Sequence, residues 1–408
     1  MAKLKNCLGT ADFMAAAQRR LPRPLFDYIC GGSDDEKTCV ANVASFDRYD
    51  FVPRYLTDVT KINMQRKVLG CDLQWPLILA PTGMSRMFHP DGEIGVAKAA
   101  AESGVGYALS TMATASIEDI GKATNGPKIY QLYLLADDAL NRESIDRCRA
   151  SGFNAVCITV DTVVAGNRER DVRSGLTVPP RLSAGSLAAF VSRPAWCMGY
   201  LSGGAFTLPN VSSDRNADIS TLAAFFAEKM ERHISWDQIG RLASYWGGPI
   251  AVKGLQSVSD VRRAADAGAS AVIISNHGGR QLDGSAATID IVADIADSMG
   301  DQIEIILDGG IRRGTHITKA LAMGARACMT GRPYLYALSA FGAPGVVRWL
   351  KLMREETERT LALLGCPDLQ LLGRDHLRAA DALPEFLRMQ AGVPHGQNNS
   401  APLLVARK

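Results

Sequence analysis

The decapeptide from Ser275 to Gly284 concentrates residue types that could remove a proton from a carbon beside a carboxylate. It follows the apolar run 271–274, so we expect it to begin where a strand ends. His277 supplies a base, because an imidazole can accept a proton near neutral pH. Arg280 supplies paired donors for a carboxylate. The alternative is a buried histidine in a glycine turn, with Arg280 in a surface ion pair.

Eight short apolar runs alternate with helix-length segments and predict the framework that holds this decapeptide. The runs are 77–82, 107–111, 128–133, 155–161, 249–254, 271–276, 303–309 and 327–331. Several are continuously apolar, which is typical of parallel strands buried on both faces. Eight such repeats over about 270 residues predict an α/β fold, the (β/α)8 TIM barrel, which typically needs ~250 residues. An open doubly wound sheet is disfavoured, because no strand is followed by Gly-x-Gly-x-x-Gly.

Two regions fall outside the repeat, and we predict that they belong to the same single domain, residues 1–408. Residues 1–75 are expected to form a helical lead-in. Residues 166–234 form an insertion after the fourth strand that is far longer than a usual βα loop. The polar stretch 391–408 is expected to be a flexible tail.

Polar residues and glycines occur at the carboxyl ends of all eight predicted strands, where barrel enzymes carry their chemistry. They are Pro81 to Gly83, Ser110, Gln131, Tyr133, Thr159, Asp161, Lys253, Ser275, His277, Asp308 to Gly310, Gly331 and Arg332. After the last two strands, glycines stand beside Arg312 and Arg332, a composition that suits a phosphate. Polar groups at all eight strand ends could together line a flat polar heteroaromatic ring. Such a ring with one phosphate, in a chain without the dinucleotide-binding motif, suggests FMN as the cofactor. Glycine turns with surface arginines are the alternative for these two strand ends.

Together these motifs resemble the FMN-dependent (S)-2-hydroxy acid oxidase and dehydrogenase family, which includes glycolate oxidase, lactate oxidase, bacterial membrane L-lactate dehydrogenase and (S)-mandelate dehydrogenase. The resemblance extends from about Phe26 to Cys366. Its motifs here are Asp27-Tyr28 with Gly31-Gly32, Ala80 to Met84, Gln131 to Tyr133, Thr159 to Thr162, Arg168 to Asp171, Val252 to Gly254, the decapeptide, and Asp308 to Arg312.

The resemblance implies a role for each strand-end residue. FMN is implied as the cofactor, held by Pro81, Thr82, Gly83, Ser110, Gln131, Thr159, Lys253, Ser275, Asp308, Gly309, Gly310, Arg312, Gly331 and Arg332. The substrate is implied to face Tyr28, Tyr133, Arg168, His277 and Arg280. Catalytic roles are implied for His277 as the base, Asp161 as its anionic partner, Tyr133 as a donor, and Lys253 as a cation beside the reduced flavin. No metal site is predicted, because the chain lacks His-Glu-x-x-His and Cys-x-x-Cys.

The predicted reaction is oxidation of an (S)-2-hydroxy acid of the lactate or mandelate type to the 2-keto acid, with electrons passing to a membrane quinone or another carrier. The alternative is a soluble oxidase that reduces O2 to hydrogen peroxide. Gly83 favours a dehydrogenase, because the oxidases usually carry alanine there. An FMN-barrel isomerase and a non-catalytic flavin protein are further alternatives. Met112 and Ala165 are expected to line the pocket for the substrate side chain.

Residues 181–210 predict a peripheral contact with a membrane. No acidic residue occurs between Asp171 and Asp214, whereas Arg173, Arg181 and Arg193 and several aromatic groups do. A lid or a subunit contact is the alternative.

Nine cysteines without a paired motif, and no apolar run near the start, predict a cytoplasmic protein at the inner face of a membrane. A net charge of +3 with no basic block argues against nucleic acid. The family resemblance implies a homo-oligomer, a tetramer.

Overall fold

The computed structural model describes residues 3–176, 183–202, 206–211 and 231–380. The strands are β1 (Tyr49–Phe51), β2 (Arg66–Val68), β3 (Cys71–Leu73), β4 (Leu77–Leu79), β5 (Gly106–Ser110), β6 (Lys128–Tyr133), β7 (Ala155–Thr159), β8 (Ile250–Leu255), β9 (Ala271–Ile274), β10 (Glu304–Asp308), β11 (Ala327–Thr330) and β12 (Leu377–Ala379).

The helices surround these strands and follow them in alternation. They are α1 (Thr10–Arg20), α2 (Arg23–Cys30), α3 (Lys37–Ala44), α4 (Gly92–Glu102), α5 (Ile117–Ala123), α6 (Asp138–Ala150), α7 (Glu169–Ser174), α8 (Ala184–Val191), α9 (Pro194–Ser202), α10 (Trp236–Trp246), α11 (Val258–Asp266), α12 (Thr288–Met299), α13 (Gly314–Ala322) and α14 (Arg332–Leu363). The last of these changes direction at Gly342, whose φ and ψ are not helical.

Strands β4 to β11 form a closed barrel in which every neighbouring pair is parallel and β11 pairs with β4. The predicted (β/α)8 barrel is therefore confirmed. Each strand ends close to its predicted boundary, and the polar residues at the predicted ends lie in the last positions of the strands or in the loops after them. Alternation along β9 explains the continuous apolar runs: Ala271 and Ile273 belong to the core inside the barrel, and Val272 and Ile274 to the core beneath the helices.

The lead-in is helical only in its first half, contrary to the prediction for residues 1–75. Helices occupy 10–44, but β1 pairs with β12, and β2 and β3 form an antiparallel hairpin. Leu69 and Gly70 both have positive φ, 50° and 72°, which gives the turn that suits a two-residue hairpin. The sequence concealed this turn because leucine rarely occupies such a position. Val68, Leu69, Cys71 and Leu73 pack into the core inside the barrel and close its amino end.

The predicted insertion after the fourth barrel strand contains α7, α8 and α9. Arg181 and the tail 391–408, both named in the sequence predictions, lie outside the described residues. Within the described part of the chain, no helix has the combination of length and hydrophobicity that a membrane crossing requires. Ser235 is the N-cap of α10, because its side chain accepts a hydrogen bond from the Gln238 amide at 3.2 Å.

The loops after β4 and β5 are held together by a buried carboxylate from α4. Glu93 is fully buried, and its Oε1 accepts from the amides of Ser85, at 2.8 Å, and Thr114, at 3.0 Å. Its Oε2 accepts from the Thr114 hydroxyl. Three donors therefore depend on one side chain.

We expect Glu93→Ala to lower the free energy of unfolding by about 3 kcal/mol or more, because each buried donor left without a partner costs roughly 1–3 kcal/mol. Urea unfolding followed by circular dichroism measures the change. The matched control is Glu102→Ala at the exposed end of the same helix, for which a change within about 0.5 kcal/mol is expected. Equal effects of the two substitutions would contradict this account of Glu93.

Candidate active site

A cavity of about 490 Å³ opens at the carboxyl ends of the barrel strands. This volume lies in the range of roughly 300–1,000 Å³ that is usual for cofactor and ligand pockets. Of the predicted residues, its walls contain Tyr28, Pro81, Thr82, Gly83, Ser110, Tyr133, Arg168, Lys253, His277, Arg280, Asp308, Gly309, Gly310, Arg312, Gly331 and Arg332. Asp161, Gln131 and Ser275 are hydrogen-bonded to residues of this wall, and Thr159 pairs in the barrel with Tyr133 and Lys253. The barrel thus brings the predicted residues together, although their individual roles stay predictions.

His277 and Asp161 form a hydrogen-bonded pair between the loops after β9 and β7. The Nδ1 of His277 lies 2.9 Å from the Oδ1 of Asp161. Burial favours the neutral acid, but the charge and hydrogen bond of His277, and then the charge of Lys253, lower the pKa of Asp161. An ionised Asp161 places the imidazole proton on Nδ1 and leaves Nε2 as the basic nitrogen. His277 also has a φ of 57°, a left-handed conformation that costs energy for a residue other than glycine.

Two neighbours make the position of Asp161 possible. A Cβ on Gly254, at the end of β8, would lie 2.7 Å from the Cβ of Asp161, so only glycine leaves room for this carboxylate. The Nε2 of Gln281 donates to the backbone oxygens of Asp161 and Val164, both at 2.9 Å. Gln281, a residue of the decapeptide, therefore fixes the loop after β7.

Tyr28, Arg168 and Arg280 form a cationic and aromatic group in the cavity wall. The guanidinium carbons of Arg280 and Arg168 lie 4.8 and 5.4 Å from the centre of the Tyr28 ring. Burial, and then the neighbouring charge of Arg168, lower the pKa of Arg280 to about 10, so both side chains are charged at neutral pH. The Nη1 of Arg280 donates to the backbone oxygens of Tyr28 and Gly31, which fixes this guanidinium against the lead-in.

Lys253, Ser275 and Asp308 form a buried polar chain across the ends of β8, β9 and β10. The Nζ of Lys253 lies 3.0 Å from Oδ2 of Asp308, and Ser275 Oγ accepts from Lys253 and donates to Asp308. Burial favours a neutral lysine, but the charges of Asp308 and then Asp161 raise the pKa of Lys253 above its ordinary value. The lysine therefore keeps its positive charge in the cavity wall.

Buried polar atoms behind this wall fit the edge of a flat polar ring. The side-chain Nε2 of Gln131 and the Oγ1 of Thr159 are buried without a hydrogen-bond partner among the described residues. Ser110 donates to Oε1 of Gln131 at 3.0 Å, which fixes the orientation of this amide and the direction of its donor. A buried polar atom without a hydrogen-bond partner lowers the stability of the fold unless a ligand or a water molecule supplies that partner. A flavin ring has hydrogen-bond acceptors at its edge that could do so.

The opposite part of the cavity fits a phosphate. Arg312 and Arg332 both line it, and among the described residues neither guanidinium has a carboxylate partner. Burial lowers the pKa of Arg312, and the nearby charge of Arg332 adds to this effect. Arg332 differs from the prediction in one respect: its Nε, Nη1 and Nη2 donate to the backbone oxygens of Ile29, Gly278 and Gly31. It therefore fixes two segments beside the cavity, the end of α2 and the loop after β9, and Arg312 is the arginine better placed to bind an anion.

An apolar group lies beside the substrate-facing residues. Met84, Met112, Leu135, Leu208 and Val211 form a buried cluster against which Tyr28 and Tyr133 pack. Leu208 and Val211 belong to the insertion, so part of the insertion packs against Met84 and Met112, which line the cavity. Met112 and Ala165 both line the cavity, as predicted.

Arg232 also lines the cavity, although no motif pointed to it. It lies at the end of the insertion, and its position depends on tertiary folding rather than on a local pattern.

Tyr133 is a hydrogen-bond donor in the cavity wall. Burial, and then the charge of Asp161, raise the pKa of Tyr133, so its hydroxyl is protonated and can donate to a ligand.

Comparison with known proteins agrees with this site. The family model for FMN-dependent dehydrogenases matches residues 17–379, and the chain belongs to this family. It is an enzyme of the FMN-dependent 2-hydroxy acid oxidase and dehydrogenase class, as the motifs indicated. The prediction of FMN as the cofactor is confirmed.

Individual relatives include oxidases and a dehydrogenase. Glycolate oxidase 1 of Oryza sativa subsp. indica is 37% identical over 377 residues, 92% of this chain and 96% of the relative. L-lactate oxidase of Nostoc sp. is 37% identical over 374 residues, 91% of this chain and 98% of the relative. The crystal structure of the monotopic membrane protein (S)-mandelate dehydrogenase matches with a TM-score of 0.88 and 34% identity, covering 92% of this chain and 100% of that one.

His316 contacts Gly310, which lies in the part of the cavity that fits a phosphate. Its ring stacks on Phe46 with centres 4.3 Å apart, and its Nδ1 lies 3.2 Å from the backbone oxygen of Gly310. Burial lowers the pKa of His316 to about 4. The folded protein therefore excludes a proton that the unfolded chain binds below a pH of ~6.5.

We expect the contribution of His316 to the free energy of unfolding to be fully present above pH ~6.5 and to decrease as the pH falls from ~6.5 toward 4. Between pH ~7.5 and ~5 the loss is about 2 kcal/mol. The variant His316→Gln removes this proton uptake and should show a flatter profile of unfolding free energy against pH. His233→Gln, at an exposed histidine, is the control. Identical profiles for the wild type and His316→Gln would contradict the assignment.

Proposed function

We propose that the protein is an (S)-2-hydroxy acid dehydrogenase that passes electrons to an acceptor other than O2, at a membrane surface. The observation that carries the catalytic part is the His277–Asp161 pair facing the same cavity as Arg168, Arg280 and Tyr28. A base with an anionic partner, next to a cationic group, is what oxidation of a hydroxy acid requires. An isomerase without a carboxylate substrate would have no use for that cationic group.

Arg168, Arg280 and Tyr28 are proposed to bind the carboxylate of the substrate. A guanidinium and a carboxylate form charge-assisted hydrogen bonds, which are stronger than neutral ones and directional. Because Arg280 is fixed to the backbone oxygens of Tyr28 and Gly31, it offers a rigid partner with little conformational entropy to lose on binding. The protonated Tyr133 is proposed to donate to the substrate as well.

His277 is proposed to accept one proton from the substrate at Nε2, either from the α-carbon or from the hydroxyl group. The resulting imidazolium is stabilised by the ionised Asp161, 2.9 Å from Nδ1. FMN, when bound, would supply the acceptor for the two electrons and for the second hydrogen that the hydroxy acid loses on becoming a keto acid. The charged Lys253 then provides a cation in the wall where negative charge would develop.

The substrate side chain is proposed to lie among Met112, Ala165 and the apolar cluster around Met84. Small Ala165 and flexible Met112 suit a bulky apolar group, which supports mandelate-type acids beside lactate. The structural likeness to (S)-mandelate dehydrogenase gives further support.

The choice of a dehydrogenase over an oxidase rests on Gly83 and on the surface of the insertion. A Cβ on Gly83 would lie 2.8 Å from the Cβ of Met112, so the alanine of the oxidases would press on this side chain. An oxidase that forms hydrogen peroxide is the second candidate, and it is favoured by the oxidases among the relatives at 37% identity.

The exposed faces of α8 and α9 are proposed to contact a membrane, with quinone as the acceptor. Leu187 and Val191 are 52% and 77% exposed on one face of α8, and Met198 and Leu201 are 67% and 78% exposed on one face of α9. Residues 183–202 contain no acidic side chain. Exposed apolar groups of this number suit the boundary between lipid headgroups and acyl chains. A cytoplasmic location at the inner face of the membrane and a tetrameric assembly stay predictions.

We expect the visible flavin absorbance of the purified protein to bleach without oxygen when (S)-mandelate or (S)-lactate is added. Slow recovery in air and fast recovery with a soluble quinone analogue would support the dehydrogenase. Fast recovery in air identifies the oxidase instead. The control is His277→Asn, which should bind FMN but bleach at least about 100-fold more slowly, because it lacks the base. A band that no 2-hydroxy acid changes would contradict the proposed reaction.

We expect the protein to sediment with vesicles that contain phosphatidylglycerol, and the combined variant Leu187→Ser, Val191→Ser, Met198→Ser, Leu201→Ser to remain in solution. Flavin reduction by substrate should be unchanged, because these side chains lie outside the cavity. The matched control replaces Leu363 and Leu371, which are 70% and 62% exposed elsewhere on the surface, by serine. Equal vesicle binding by both variants would exclude these helices as the contact.

A further inference from the structure

A buried pair of amides joins the lead-in to the loop that carries His277. The Nδ2 of Asn42, in α3, donates to Oδ1 of Asn276 at 2.8 Å, and the Nδ2 of Asn276 donates to Oδ1 of Asn42 at 2.9 Å. Both side chains are only 3% exposed. Asn276 immediately precedes His277.

Backbone groups around the pair determine which way each amide points. The backbone oxygen of Ala286 accepts from Nδ2 of Asn276, and the amide of Gly279 donates to its Oδ1. The amide of Thr288 donates to Oδ1 of Asn42 at 3.4 Å. Because a carbonyl only accepts and a backbone amide only donates, neither asparagine can be turned over without losing hydrogen bonds.

The rest of α3 contacts the same decapeptide along its length. The carboxylate of Asp283 accepts from the amides of Lys37 and Thr38, at 3.2 and 2.8 Å, at the start of the helix. A Cβ on Gly279 would lie 2.4 Å from the backbone nitrogen of Cys39, so helix and loop are in direct backbone contact. Asn42 is the contact nearest to His277 along the decapeptide.

The left-handed backbone conformation of His277 requires neighbouring contacts that hold it in place. A φ of 57° persists only when the surroundings fix it, because the extended or helical regions are lower in energy for this residue type. The Asn42–Asn276 pair fixes the residue before His277. The backbone amide of His277 itself donates to Ser275 Oγ at 3.0 Å. Asn42 itself is not among the residues of the cavity wall.

We propose that Asn42 is a positioning residue: through its reciprocal hydrogen bonds with Asn276, it holds His277 in the left-handed conformation that directs Nε2 into the cavity. This inference rests on the proposed role of His277 as the base. It gives the lead-in helix α3 a part in the reaction without contact with substrate or cofactor.

The test measures the rate constant of flavin reduction per bound FMN, without oxygen and at saturating (S)-mandelate or (S)-lactate, in the full-length holoenzyme. For Asn42→Ala we expect a fall of about 10- to 100-fold, because a small displacement of a catalytic group has an effect of this size. The apparent dissociation constant of the substrate should change less than about 3-fold, since the carboxylate-binding side chains stay in place.

Asn42→Asp gives a second variant of the same size that should fold even if Asn42→Ala does not. It keeps the acceptor for Asn276 and Thr288 but loses the donor, so we expect a smaller fall in the same rate constant, about 3- to 10-fold. Asn42→Ala should add little to Asn276→Ala in the double variant, because Asn276→Ala already removes both hydrogen bonds through which Asn42 acts on the loop of His277.

Lys128→Met is the control for general destabilisation. Lys128 is also buried and donates to the backbone oxygens of Thr124 and Gly126, but it lies at the amino end of β6. We expect a lower unfolding temperature with an unchanged reduction rate.

Reduction within 2-fold of the wild type in Asn42→Asp and in any folded Asn42→Ala would overturn the positioning role. Rapid reduction in His277→Asn would instead overturn the proposed function, so the two failures are distinguishable.

Discussion

The hydrogen bond between His277 and Asp161 joins loops that follow β7 and β9, two strands separated in the barrel by β8. A carboxylate in this position is stable as an anion only because an imidazole and the charged Lys253 lie beside it. Much of the surrounding structure serves this requirement. Gly254 leaves the space, Gln281 fixes the backbone, and the buried chain of Lys253, Ser275 and Asp308 supplies the compensating charge.

The cavity is divided by chemistry. The polar atoms of Gln131 and Thr159, which lack hydrogen-bond partners in the part of the chain that the structure describes, suit a ring, and Arg312 and Arg332 suit a phosphate. The cationic group around Tyr28 suits a carboxylate, and the apolar cluster around Met112 suits a side chain. These parts and His277 line one cavity, so a ligand bound at the cationic group would share that cavity with the imidazole.

The lead-in is part of the site rather than an appendage. Arg280 and Arg332 donate to backbone oxygens between Tyr28 and Gly31, so these contacts fix the barrel loops and the lead-in against each other.

Different parts of the insertion have different surroundings. Leu208 and Val211 pack with Met84 and Met112, which line the cavity, whereas α8 and α9 expose apolar side chains to the surroundings.

The sequence by itself determined the barrel, its strand order and which residues gather at one end. Hydrophobic runs and helix caps are local signals, and parallel strands place their carboxyl ends at the same edge. For the same reason the decapeptide and the Asp308 to Arg312 motif were placed correctly at this end of the barrel.

Tertiary structure alone decided which hydrogen-bond donors remain available in the cavity and what closes the opposite, amino end of the barrel. Arg332 has its three kinds of donor nitrogen engaged by backbone oxygens from two distant segments. The hairpin of β2 and β3 plugs the amino end through a turn that leucine rarely forms, and the Asn42–Asn276 pair joins residues 234 positions apart. No local pattern records such contacts, because each depends on the packing of segments that become neighbours only after folding.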